Sequence, residues 1–177
     1  MAPTAFPFEA LRGGATCADA FDTFDHLPSV TPAAIRGRWV GHELATGHSW
    51  DGKLTAAGWQ GKEFRDDDAV HPLLFGDRHG NAFPVDPRWV PVALVDKLPV
   101  RSVVVMGRAI GWLRPLIRAR QPGARLRMVV YRGTASAAMV YDQLPIIDVF
   151  RRVDQDTLLG VMDMRGTSPY FFYLVRA

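Results

Sequence analysis

Apolar residues fall into two regimes along this chain: broken helical bursts up to about residue 120, then closely spaced extended runs from residue 124. In the first regime Phe8, Leu11, Cys17, Phe21 and Phe24 recur at helical spacing, and Gly13 and Gly14 divide them into two short helices. Thr31-Pro32 is an N-cap and first-turn pair, so a turn of helix is expected over Pro32–Ile35, ending at Gly37, with a strand from Arg38. The spacing of Leu54, Ala57, Trp59, Gly61 and Phe64 predicts a second short helix closed by Asp66, Asp67 and Asp68. Val70–Phe75 and Ala82–Val85 read as strands around a turn at Asp77–Asn81. Val100–Arg120 reads as a helix with one apolar side and a kink at Pro115.

In the second regime Leu126–Arg132, Ser136–Asp142, Ile146–Val153, Leu158–Met164 and Tyr170–Arg176 are strand-like, divided by Gly133, Pro145, Asp154-Gln155-Asp156 and Gly166. Five short strands at this spacing predict an antiparallel meander, which as a closed barrel leaves no exposed edge. The fold class is therefore mainly β with covering helices.

Composition narrows this further. At 177 residues, 48% hydrophobic and 22% charged, the chain suits one domain over 1–177 and excludes disordered, collagenous and coiled-coil classes. The net charge is +3, and only Lys53, Lys62 and Lys97 among the cations are lysines. The arginines are scattered and offset by acids, so nucleic acid is not expected as a partner. Cys17 is the one cysteine, which excludes an internal disulfide and a Cys-based zinc site and suits a reducing compartment. The start MAPTAFPFEALRGG does not read as a secretory leader, and no apolar run approaches the about 20 residues that spanning a bilayer takes. A cytoplasmic protein without membrane insertion is expected.

The segment Thr31–Leu44 contains Gly37-Arg38-Trp39-Val40-Gly41, a G-x-W-x-G pattern after a short helix and at the start of a strand. It resembles the GXWXG family. The stretch AMVYDQLPIIDVFRRVDQDTLLGVMDMRG and the ending PYFFYLVR resemble the domain of unknown function that usually follows GXWXG. The resemblance runs from about Thr31 to the end, and organises the domain as a GXWXG segment with the first strands (31–90), a helix (100–120) and a C-terminal meander completing the barrel (124–177). It implies a fold more than an activity. A G-x-W on the first strand with an arginine on the last is also similar to lipocalins and fatty-acid-binding proteins, where the arginine lies over the tryptophan and closes the barrel end. Trp39 and Arg176 are the matching pair here, with Arg176 as anchor for a ligand carboxylate as the functional alternative.

Candidate chemistry concentrates in the meander. If Asp154 pairs with Thr157 across a two-residue turn, Asp148 lies opposite Asp163, Phe150 opposite Val161 and Arg152 opposite Leu159. Continuing through the Leu144-Pro145 turn puts Tyr141 opposite Asp148. Facing carboxylates cannot both ionise cheaply, so Tyr141, Asp148 and Asp163 form a candidate proton-transfer cluster. The alternative register points this face outward, with Arg151, Arg152 or Arg165 neutralising the acids and Asp142 as backup acid. His71, set among apolar residues, is a candidate base or axial haem ligand, haem being a minor reading because no histidine follows His79. His42 and His48 read as solvated, and no metal site is assigned.

Trp59, Phe75, Met139, Phe150 and Phe172 join Trp39 and Arg176 as expected ligand-lining residues. The expected function is a small barrel enclosing a hydrophobic acyl, terpenoid or polyketide molecule. Its alternative is a cofactor-free isomerase, cyclase or dehydratase using Asp148 or Asp163 with Tyr141 or His71. Whether the chain acts alone or as a homodimer stays open.

Overall fold

The structure, a computed structural model, describes residues 7–90 and 97–177. Part of the reading of the first residues as no secretory leader falls on residues 1–6, outside the described ones. Two helices open the chain, α1 (Phe8–Leu11) and α2 (Cys17–His26). The start of α2 is fixed by a reciprocal cap: the Thr16 hydroxyl accepts from the Asp19 amide, and the Asp19 carboxylate accepts from the Thr16 amide. A 3₁₀ turn over Pro32–Ile35 leads into β1 (Gly37–Glu43). Then come α3 (Lys53–Ala56), β2 (Trp59–Phe64), β3 (Val70–Gly76) and β4 (Ala82–Pro84). A 3₁₀ turn at Pro87–Trp89 precedes α4 (Val100–Trp112) and α5 (Arg114–Ile117). The meander is β5 (Ala124–Tyr131), β6 (Thr134–Tyr141), β7 (Ile146–Arg152), β8 (Thr157–Met164) and β9 (Tyr170–Arg176).

Two expectations need correction. The helix predicted across Leu54–Phe64 covers only Lys53–Ala56, and the rest is strand β2. Gly58 turns the chain at φ 83°, and Gly61 at φ 131° breaks the alternation of β2, so its buried positions imitate a helical spacing. The single kinked helix expected over Val100–Arg120 is two, separated at Leu113 just before Pro115.

All nine strands pair antiparallel in the order β2-β1-β9-β8-β7-β6-β5-β3-β4, and β2 also pairs with β3. Eight strands thus form a hydrogen-bonded ring, with β4 outside it on β3; the β3–β5 seam rests on one pair, Val70 with Ala124. The protein is mainly β, with a few helices against the sheet.

The meander is apolar on both faces because both are covered. Trp39, Phe64, Met139, Phe150, Met162, Phe172 and Leu174 pack inside the ring. Ala138, Val149, Leu159, Val161 and Phe171 face the other way and pack beneath Leu11, Ala20 and Phe24 of α1 and α2. Arg151 is buried on this outer face, its guanidinium 4.9 Å over the Phe24 ring, with burial lowering its pKa.

The G-x-W-x-G residues each have a steric reason. Gly37 sits at φ 120°, a conformation L side chains rarely adopt. Trp39 is buried and its indole N–H donates to the Ile35 carbonyl at 2.8 Å. Arg176 is its register partner on β9 and lies 4.3 Å over the indole. At Gly41 the Trp59 ring occupies the space of a side chain, 2.3 Å from where a Cβ would stand.

Candidate functional site

The Asp154–Asp156 turn sets the register of the site. The Asp154 carboxylate accepts from the Asp156 amide, and the amides of Val153 and Asp154 both point to the Thr157 carbonyl. This turn holds three residues where two were expected. The β7–β8 register therefore slips by one: Asp148 pairs with Met162, Phe150 with Gly160, Arg152 with Leu158, and Asp163 with Ile147. A one-residue slip reverses a face, so Asp163 is exposed and the Asp148–Asp163 pair does not form. On the other side Asp148 pairs with Met139, two residues from the expected Tyr141, and a two-residue slip preserves the face.

Asp148 points into the ring and is 2% exposed. Its neutralising partner is none of the three arginines considered but Lys62 of β2, whose Nζ lies 2.8 Å from Oδ2 and 3.2 Å from the Pro72 carbonyl oxygen. The Lys62 ammonium, also 2% exposed, lies 5.0 Å from the Phe172 ring centroid, 5.5 Å from Trp59 and 5.8 Å from Tyr141. Burial raises the Asp148 pKa, with Lys62 opposing it. Burial also pushes the Tyr141 phenol well above its ordinary range, with the Asp148 charge adding to it. Asp148 Oδ1 and the Trp59 indole N–H, both buried, have no hydrogen-bond partner.

These groups border a cavity of about 50 Å³, walled also by Trp50, Ile146, Met162 and Tyr170. Tyr170 donates to the Glu43 carboxylate, which also accepts from the Leu54 and Thr55 amides at the start of α3. Burial and Glu43 hold the Tyr170 phenol protonated. Beyond Leu54 and Val90, which wall both spaces, lies a chamber of about 240 Å³ roofed by Val103, Met106 and Ile110 of α4. Phe75, Val85 and Ile117 complete its lining, which is almost wholly apolar.

Two family models match the sequence: one described as GXWXG protein over residues 22–80, and one described as Domain of unknown function (DUF4334) over 122–176. A crystal structure titled as a protein from Thermomonospora curvata is similar at 31% identity, covering 96% of this chain and 94% of that one, with a TM-score of 0.69. The chain belongs to the GXWXG family. None of the curated proteins matches it.

The GXWXG segment and the DUF4334 segment each contribute half of the buried ion pair, Lys62 from the first and Asp148 from the second. Of the ligand-lining residues expected from sequence, Trp59 and Phe172 border the small cavity and Phe75 the chamber. Met139, Phe150 and Trp39 are packed in the ring core, with Arg176 4.3 Å over the Trp39 ring. His71 is buried on β3 and borders neither of these two cavities. Its pKa is lowered by burial, with Arg65 adding to the effect. Asp142 pairs with Arg125 at 2.7 Å on the surface.

His48 corrects the solvated reading: it is buried, accepts from the Trp50 amide and sits 3.1 Å from the Ser168 carbonyl, pinning the loop before α3. His42 is exposed and stacks on Tyr173. Among the described residues no group of three or more His, Cys, Asp or Glu is placed to hold a metal, and no helix is long and apolar enough to cross a membrane.

Lys62 and Tyr170 escaped the sequence reading. The signal for Lys62 was present, since it is one of three lysines and stands in the sequence between the apolar Trp59 and Phe64.

Proposed function

We propose that the ring is a lipocalin-like barrel that encloses a small apolar molecule in the chamber under α4, with the molecule's one polar end toward the Lys62–Asp148 pair. The observation that carries this reading is the junction of an apolar chamber with a small cavity holding a buried ion pair and two orphaned polar atoms. A buried polar atom without a partner costs about 1–3 kcal/mol. A ligand hydroxyl donating to Asp148 Oδ1, or an oxygen accepting from the Trp59 N–H, recovers that cost, while Leu54 and Val90 move aside to let it pass. The chamber is slightly below the roughly 300–1,000 Å³ of small-molecule sites, which favours a compact acyl or terpenoid ligand.

The test is titration with a fluorescent medium-chain fatty acid or alcohol, alongside native mass spectrometry of protein purified without refolding. Saturable one-to-one binding that Val103→Trp abolishes is the expected result. Absence of binding to either probe, with no molecule co-purifying, overturns the reading.

A second reading is favoured by the raised Asp148 pKa: a carboxyl that holds its proton longer in an apolar site suits general acid/base work on the same ligand. Cofactor-free isomerisation, cyclisation or dehydration would use Asp148 as the acid/base, with Lys62 setting its charge and Tyr141 beside it. Asp148→Asn is then expected to lower turnover by about 10²-fold while leaving ligand binding nearly intact.

A further inference from the structure

Helix α4 presents apolar residues to both sides. Val103, Met106 and Ile110 roof the chamber, and Gly107 meets the Ala57 backbone closely enough that a Cβ would stand 2.6 Å from its carbonyl oxygen. The opposite stripe, at spacings of four, three and four, reads Arg101, Val105, Arg108, Trp112, and after the break at Leu113 comes the exposed Leu116 of α5. Val105 is 66%, Trp112 70% and Leu116 75% exposed, and Trp89, which shares a groove with Leu116, is 63%. Large side chains that open to solvent in one contiguous face mark a contact surface.

The charge on this face is one-sided. From Lys97 to Arg120 the chain has six cations, Lys97, Arg101, Arg108, Arg114, Arg118 and Arg120, and no acid. Arg114 is taken up by Asp77 at 2.8 Å, whereas Arg101, Arg108, Arg118 and Arg120 have no acidic partner among the described residues. Arg78 adds a further cation, lying 5.6 Å over the Trp112 ring. Trp89, Leu116, Arg118 and Arg120 border an open groove of about 480 Å³ with Arg88, which Asp86 neutralises.

We propose that this face adsorbs to an anionic lipid surface. Interleaved arginines and exposed tryptophan, leucine and valine on one stripe are the composition of a helix lying in the headgroup layer, the cations meeting lipid phosphates and the apolar tips entering the acyl boundary. The excess of cation decides against a second copy of this chain, because a two-fold contact sets each arginine stripe against its own image. Adsorption is peripheral and inserts no spanning segment. It places the roof of the chamber against the bilayer, so that a lipophilic molecule passes between membrane and chamber without crossing water. The adsorption itself does not depend on the cavity holding a ligand.

The experiment is co-sedimentation of the full chain with vesicles of phosphatidylcholine alone, and with vesicles in which phosphatidylglycerol replaces part of it. Binding to the anionic vesicles that weakens as salt rises is expected, with little binding to the zwitterionic ones. Arg101→Gln with Arg108→Gln should weaken it by about five-fold per arginine, and Trp112→Ser with Leu116→Ser should remove most of the remainder. All four side chains are exposed, and circular dichroism checks that these variants fold. Equal binding to both vesicles, or no effect of the arginine pair, overturns the electrostatic assignment. Absence of binding to any vesicle overturns the proposal, and a concentration-dependent dimer lost in Trp112→Ser would identify the face as a contact between copies instead. Uptake of a soluble fluorescent fatty acid, measured separately, reports on the cavity alone, so either reading can fail without the other.

Discussion

At the scale of single residues the buried ion pair is the main energetic commitment of the ring interior. Two charges removed from water cost several kcal/mol each, and their attraction offsets this only while both remain. Lys62 has the Pro72 carbonyl as a second acceptor and three aromatic rings around it, whereas Asp148 Oδ1 is left without a donor. The pair is therefore expected to contribute little net stability, yet to be damaging when halved. Lys62→Met alone should destabilise by about 3–5 kcal/mol, as should Asp148→Leu, and the double variant should recover most of that loss. Urea unfolding of the four proteins measures this cycle. Additive losses in the double variant would show that the two side chains act separately, and a purely structural role for the pair would leave ligand uptake in that variant intact.

At the scale of elements, α4 is held to the sheet side by close backbone approach as well as by side-chain packing. A methyl group at position 107 collides with the Ala57 main chain, so Gly107→Ala should push the helix outward despite its better intrinsic helix propensity. The expected signature is faster amide exchange in α4 and α3, with the meander strands unchanged, and weaker retention of any chamber ligand. Unchanged exchange in both helices would mean that Ala57 yields without cost. Which elements exist was largely readable from the sequence, because Gly, Pro and the Thr31-Pro32 pair punctuate strong apolar runs. What the runs could not reveal was orientation. With Phe150 inside the ring and Val149 buried beneath α2, both faces of β7 are apolar, and alternation carries no inside-outside information. The pairing of Asp148 with Asp163 then depended on the length of a turn in which the Asp154 side chain binds the Asp156 amide. Lys62 was harder still, since the irregular Gly61 position buries two neighbouring residues of β2.

At the scale of the whole molecule, pH should act through buried groups with opposite signs. Burial holds His71 below its ordinary value of 6.5, so the unfolded chain takes up that proton first. The stability His71 contributes is present above pH 6.5 and is lost as pH falls through its depressed folded value. Charging of the imidazole there is also opposed by Arg65 and Arg118 and favoured by Glu63, its register partner on β2. Asp148 runs the other way. Its pKa is raised from 3.8, so its contribution is fully present below that value and diminishes as pH rises through the folded one. On acidification the two therefore oppose each other: below pH 6.5 His71 takes stability away, and toward pH 3.8 Asp148 gives it back. Replacing His71 by Gln removes the acid-labile part, so the urea midpoint of that variant should fall less, or rise, on acidification from pH 7 to 5. Replacing the pair by Lys62→Met with Asp148→Leu removes the compensating part, so acidification carried from pH 7 down to 4 should destabilise that variant more than the parent chain. An unchanged slope in both variants would place the acid sensitivity elsewhere, and His42, whose pKa burial also lowers, is the next group to replace.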